Sequence, residues 1–295
     1  MPSAHPVVSA TETPKETKPD PASEPGPEPV AVAAPVSRDE SVTAELRVLL
    51  GESSQLAALD DDQRESVARL LEGPHDFPEG AEVLGALVAS EYLLLIESGE
   101  VVEGERKLRR GDCMGDLSLL RGVLPPSPAV AGASSRLWRL SKRDFDEHVA
   151  SALNERNESR CSLLGRAGVL STLSDIEMYR LAHHSEELHL IATEEPILVS
   201  KQGETSSSLL IVVSGSVECW QVDAGGTDIL TATLGDGDVA EETALLGDKK
   251  TSATLKVPGE ARLLRLERSV VVREVGPLET LLKRNMEVYA KYMPE

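Results

Sequence analysis

Four short patterns occur twice in this chain, in the same order, about 120 residues apart. Leu56-Ala57-Ala58-Leu59-Asp60 returns as Leu170-Ser171-Thr172-Leu173-Ser174. Leu93-Leu94-Leu95-Ile96-Glu97-Ser98-Gly99-Glu100-Val101 returns as Leu210-Ile211-Val212-Val213-Ser214-Gly215-Ser216-Val217. Ser118-Leu119-Leu120 returns as Ala244-Leu245-Leu246, and Arg136-Leu137-Trp138-Arg139-Leu140 as Arg262-Leu263-Leu264-Arg265-Leu266. Ordered recurrence over this span identifies a tandem duplication, so the chain folds as two copies of one unit.

Each copy opens on a helix signal. Asp60 to Asp62 precede Val67, Leu70 and Leu71, and a second helix is expected near Asp175 to Ala182. Short β-type runs follow at Glu82 to Leu84, Tyr92 to Ile96 and Arg136 to Leu140, with Gly and Asp turns between them. The second copy has such runs at Ile197 to Ser200, Leu209 to Val213, Val217 to Val222, Ile229 to Leu234 and Arg262 to Leu266. A helical stretch from Asp144 through Leu164 joins the copies. A terminal helix begins near Leu278, with Leu278, Leu281, Leu282, Met286, Tyr289 and Met293 on one stripe. Many short strands flanked by helices imply a small barrel or jelly roll, so the fold class is mainly β with flanking helices.

The first 37 residues hold nine of the 18 prolines among Ala, Glu, Ser and Thr. Such a tail buries too little apolar area to offset its chain entropy, and disorder is expected. It offers no amphipathic helix pair, so dimerisation through N-terminal helices is not expected. The net charge of −20 repels phosphate and disfavours nucleic acid as a partner. Cys113, Cys161 and Cys219 lack metal-ligand spacing and read as reduced thiols in a cytoplasmic protein. His183, His184 and His189 have no Cys or carboxylate pattern around them that would complete a zinc site. No run of about 18 apolar residues or signal-peptide core is present, so neither a membrane span nor a leader is expected.

Several of these segments, taken together, resemble the cyclic-nucleotide-binding domain. They are an L-x-x-L-[DS] helix entry, a turn such as Gln202-Gly203-Glu204, a Gly-Glu or Gly-Ser β turn, and a Gly-Asp-x-x-Gly-acid-hydrophobic cassette. Two such domains in tandem resemble the regulatory subunit of cyclic AMP-dependent protein kinase, as does Leu282-Lys283-Arg284-Asn285-Met286-Glu287-Val288-Tyr289 near the end. The resemblance covers about residues 38–293 and implies two cyclic-nucleotide-binding-type β-rolls, or jelly-roll barrels. It divides the chain into a tail (1–37), an inhibitor-like segment (38–46), domain A (47–152) and domain B with its C-terminal helix (153–295).

In that family a short helix after a Gly turn holds the cyclic phosphate. Backbone N–H groups at a helix start favour an anion, a Glu accepts from the ribose hydroxyl, and an Arg forks onto the phosphate. The first copy matches at Gly115, Asp116, Leu117 and Ser118, with Asp116 one methylene shorter than Glu. Its Arg position falls at Pro125 or Pro126, which supplies no charge, and the base-capping position falls at Ser159. The second copy matches at Glu242, Thr243 and Ala244. Glu241 replaces the Gly, Thr251 replaces the Arg, Lys249 and Lys250 lie just before it, and Tyr289 stands at the base-capping position. A hydrogen-bonded charge contact is worth about 1.5–3 kcal/mol, so neither copy is expected to bind cyclic AMP tightly. The ligand expected at the second copy is weakly anionic or neutral, such as a purine nucleoside, and no other cofactor is implied.

The segment Arg38-Asp39-Glu40-Ser41-Val42-Thr43-Ala44-Glu45 resembles the family's R-R-x-[AGS]-[IV]-S-A-E inhibitor stretch. Arg38, Ser41 and Val42 occupy the matching positions. Asp39 replaces the second Arg and substitutes repulsion for attraction in an acidic cleft. The expected function is therefore a non-catalytic regulator that restrains a protein kinase catalytic subunit. A ligand-independent scaffold in a cytoskeletal or ciliary assembly is the second reading. An enzyme is disfavoured, because no nucleophile–base pair, metal cluster or NTPase phosphate loop stands out.

Overall fold

The computed structural model describes residues 39–223, 225–246 and 250–276. The Pro-rich tail, Arg38, Lys249, and the expected terminal helix with Tyr289 lie outside these residues.

The first copy begins with α1 (Glu40–Glu52) and α2 (Asp61–Leu70). Asp60 caps α2 by a capping box with Gln63, and Ser174 caps α6 (Asp175–His184) by a capping box with Glu177. The last residue of the first repeated pattern is thus a helix N-cap in both copies. Eight strands follow in the first: β1 (Glu72–Phe77), β2 (Glu82–Leu84), β3 (Tyr92–Ser98), β4 (Val101–Glu103), β5 (Arg106–Leu108), β6 (Cys113–Met114), β7 (Ala129–Ala131) and β8 (Ser135–Ser141). The second has β9 (Glu186–Ile191), β10 (Ile197–Ser200), β11 (Ser208–Gly215), β12 (Val217–Val222), β13 (Asp228–Leu234), β14 (Val239–Ala240), β15 (Thr254–Val257) and β16 (Glu260–Glu267).

Strand order proves the duplication. The first copy has antiparallel sheets β1-β8-β3-β6 and β2-β7-β4-β5; the second has β9-β16-β11-β14 and β10-β15-β12-β13. Each strand of the second copy stands eight after its counterpart in the same place. The central pairs are the repeated apolar patterns themselves, with Leu95 opposite Trp138 and Ile211 opposite Leu264. β-Branched and leucine side chains alternate inward there and fill each roll.

Between β6 and β7 lies α3 (Asp116–Arg121), and between β14 and β15 a 3₁₀ turn over Glu242–Leu246. After β8 come α4 (Lys142–His148) and α5 (Ala150–Leu164); after β16 comes α7 (Arg268–Val275). The expected helical linker is therefore two helices. α5 crosses the 152/153 division: Leu153 packs in the first core with Phe145 and Leu50, and Leu164 packs in the second with Leu170 and Leu245. The inhibitor-like segment opens α1, where Asp39 is the N-cap. Leu46, Leu49 and Leu50 of that helix anchor it in the first core. No helix among the described residues is long and apolar enough to cross a membrane.

Candidate functional site: two cassettes with different tenants

The first cassette is set by backbone geometry. Gly115 has φ of 89°, and a Cβ there would stand 2.5 Å from the Tyr92 carbonyl, so only glycine fits. Gln55 steadies the strand before it, accepting from Cys113 N at 2.9 Å and donating to Cys113 O at 3.1 Å. Ser118 Oγ accepts from Ser90 N at 2.9 Å, which ties α3 to the loop before β3. Leu117 lines the adjoining cavity.

Asp116, the expected ribose acceptor, is buried and already engaged. One of its oxygens, Oδ1, accepts from Leu117 N at 3.0 Å; the other lies 2.8 Å from His183 Nε2, on α6 of the second copy. Arg156 donates to Asn157 Oδ1 at 3.1 and 3.2 Å, which turns the Asn157 amide nitrogen toward His183 Nδ1 at 3.1 Å. The opposite edge of the ring, with Nε2, is thereby set against Asp116. Burial works against the charged carboxylate, but His183, His184 and the Leu117 N–H together hold Asp116 well below its ordinary range. Arg156 also donates to the carbonyls of Ser54 and Gln55. The relay thus joins the loop after α1, α5, α6 and α3.

A cavity of about 690 Å³ lies beside this relay, walled by both copies. Pro125 and Pro126 line it and, as expected, supply no charge. Positive charge arrives from elsewhere: Arg106 on β5, and Arg268 and Arg273 on α7. Arg106 pairs with Glu103 at 2.9 Å and Arg273 with Glu274 at 2.7 Å. Ser159, at the base-capping position, sits exposed on α5.

The second cassette is built differently. Glu241 takes φ of 59°, a left-handed conformation that suits the glycine usual at this position of the pattern. Its carboxylate accepts from Ser200 Oγ and Ser206 Oγ, each at 2.5 Å. Glu242 does not face a vacant acceptor role: its Oε1 accepts from Val169 N at 3.3 Å. Thr243 lines a cavity of about 300 Å³ with Lys250 and Thr251, and Ala244 is buried against the roll. Thr251 Oγ1 donates to Lys201 O at 2.5 Å, and Thr251 backbone groups pair with Gly203 and Glu204. It stitches the retained Gln202-Gly203-Glu204 turn to the cassette's exit.

Of the expected site residues, the structure groups Gly115, Asp116, Leu117 and Ser118 in one pocket and Glu242, Thr243, Ala244 and Thr251 in another. Sequence reasoning missed His183, Asn157, Ser200 and Ser206. The two serines carry no motif and meet Glu241 only through strand placement. His183, which shows no zinc pattern in the sequence, meets Asp116 at 2.8 Å across the boundary between copies. Among the described residues no His, Cys, Asp and Glu group could hold a metal ion.

Comparison with known proteins agrees with this architecture. Residues 197–275 match the family model of the cyclic nucleotide-binding domain. That segment resembles such a domain, and the chain as a whole is similar to protein kinase regulatory subunits. It is 24% identical over 275 residues to the cAMP-dependent protein kinase regulatory subunit of Blastocladiella emersonii, covering 90% of this chain and 67% of that one. It is 25% identical over 186 residues to the Dictyostelium discoideum regulatory subunit, covering 62% of this chain and 56% of that one. The regulatory domain of Toxoplasma gondii PKA, solved with cAMP, shares the fold with a TM-score of 0.57 and 22% identity. That alignment covers 86% of this chain and 99% of the other.

Proposed function

We propose that this chain is a non-catalytic, regulatory-subunit-like protein that binds and restrains a cAMP-dependent-type kinase catalytic subunit. In this reading its second cassette takes a purine nucleoside or similar neutral ligand in place of a cyclic phosphate. The carrying observation is Glu241. A carboxylate held by two serines stands where an incoming phosphate would need donors, and Thr251 offers no guanidinium to offset it. A hydroxyl, which can donate to Glu241, suits the place; a phosphodiester, which only accepts, does not.

The kinase-facing part of the proposal is Arg38, Ser41 and Val42. Ser41 is exposed in the first turn of α1, and its N–H donates to Asp39 Oδ1 at 3.3 Å. Val42 packs against the first core. Entry of Val42 into a kinase cleft would require this turn to unwind, so partner binding would compete with the packing of α1. The test is inhibition of a purified catalytic subunit by the full chain, with and without adenosine, guanosine and inosine. Inhibition relieved by a nucleoside but not by cyclic AMP supports the proposal. No association at micromolar concentration refutes its kinase part.

The scaffold reading draws on a different observation: Asp116, Glu241 and Glu242 are all engaged by the protein's own donors. Calorimetric silence with every nucleoside and cyclic nucleotide, together with unaltered stability, would favour it. The proposed location is cytoplasmic under either reading.

A further inference from the structure

We propose that His183 is the resident occupant of the first cassette, so that closure of the two copies and entry of a hydroxyl-bearing ligand there exclude one another. The inference rests on reading residues 115–118 as a ligand cassette, but not on any ligand at the second. One oxygen of Asp116 accepts from Leu117 N, the other is covered at 2.8 Å by His183 Nε2, and the residue is 6% exposed. The imidazole is itself fully enclosed and sets Nε2 against the carboxylate, where a ligand hydroxyl would otherwise stand. It reaches Asp116 from α6, an element of the other copy, and Asn157, itself held by Arg156, braces its other nitrogen. Space is not what keeps a ligand out: the adjoining cavity, about 690 Å³, falls within the ordinary range for small-molecule sites. The missing element is access to the Asp116 oxygen that the imidazole covers at 2.8 Å. Withdrawal of α6 would supply it, and a ligand that meets Asp116 with its own hydroxyl would in turn hold α6 away.

The test is calorimetric titration of the full chain with adenosine, which brings vicinal hydroxyls and no phosphate. Wild type is compared with His183→Ala and with His183→Leu, which keeps the volume filled should the alanine variant lose its cooperative unfolding. The expected result is one additional adenosine site per chain in the variants. Wild type taking one and the variants two, or wild type none and the variants one, are both supporting results; only the second pattern also argues against the nucleoside reading of the second cassette. An unchanged number of sites in a folded variant overturns the inference. So does adenosine bound at the first cassette of wild type with the Asp116–His183 contact intact.

Discussion

Removing His183 and Asp116 singly and together should give strongly non-additive losses of stability. In His183→Ala, Asp116 keeps the Leu117 N–H but loses its 2.8 Å partner inside a dry contact. Leaving a buried charged group without its partner costs about 3–5 kcal/mol. In Asp116→Ala the demand is smaller. His183 loses the carboxylate 2.8 Å from its Nε2 in a buried place, at about 1–3 kcal/mol, while its Nδ1 keeps its contact with Asn157. In the double variant neither orphan remains, and only packing is lost. The cycle should therefore return a coupling of about 2–3 kcal/mol. Urea denaturation of the full chain, followed by circular dichroism, measures it. Because the pair spans the copies, each single variant should also broaden or split the transition. Additive effects, with coupling below about 0.5 kcal/mol, would refute the argument that the pair is a dry, oriented contact.

Other expectations follow from the same geometry. Glu241→Gly combined with Thr251→Arg should raise cyclic AMP affinity at the second cassette at least about tenfold in calorimetry, since one charge-assisted contact is worth about 1.5–3 kcal/mol; unchanged affinity would count against the cassette alignment. Gly115→Ala should lower stability by about 2–3 kcal/mol through left-handed strain and collision with the Tyr92 carbonyl, read as a shifted denaturation midpoint. Phe145→Ala should cost about 3–5 kcal/mol, since its ring is fully enclosed in the first core. Asp116 titrates below its ordinary value of 3.8 in the folded chain, so the unfolded chain takes up this proton first as pH falls. Its stabilisation is complete above about pH 5 and drains away below about pH 4. Asp116→Asn should flatten that part of the acid-unfolding curve, and an unaltered acid limb would show that the group does not contribute.

The amino-acid order alone determined the duplication, the β-roll class and the helix starts at Asp60 and Ser174, because these depend on local signals: capping side chains, β-branched runs and turn glycines. It also exposed the altered cassettes, since Asp116, Glu241, Thr251, Pro125 and Pro126 depart from a pattern that needs particular chemistry at particular spacings. Helix α1 was not legible from its first residues, where a polar stretch with Asp39 reads equally as a segment for a partner's cleft; the burial of Leu46, Leu49 and Leu50 settles it as helix. Nor could spacing assign the tenants of the cassettes. Ser200 and Ser206 lie far from Glu241 in sequence and reach it only once β10 and the loop before β11 close over it. His183 meets Asp116 only because α5 carries the second copy back onto the first. Local sequence encodes what a segment can become, whereas the partner of a buried polar group is chosen by the packing of elements distant in the chain, and only the tertiary structure could decide that each carboxylate already has one.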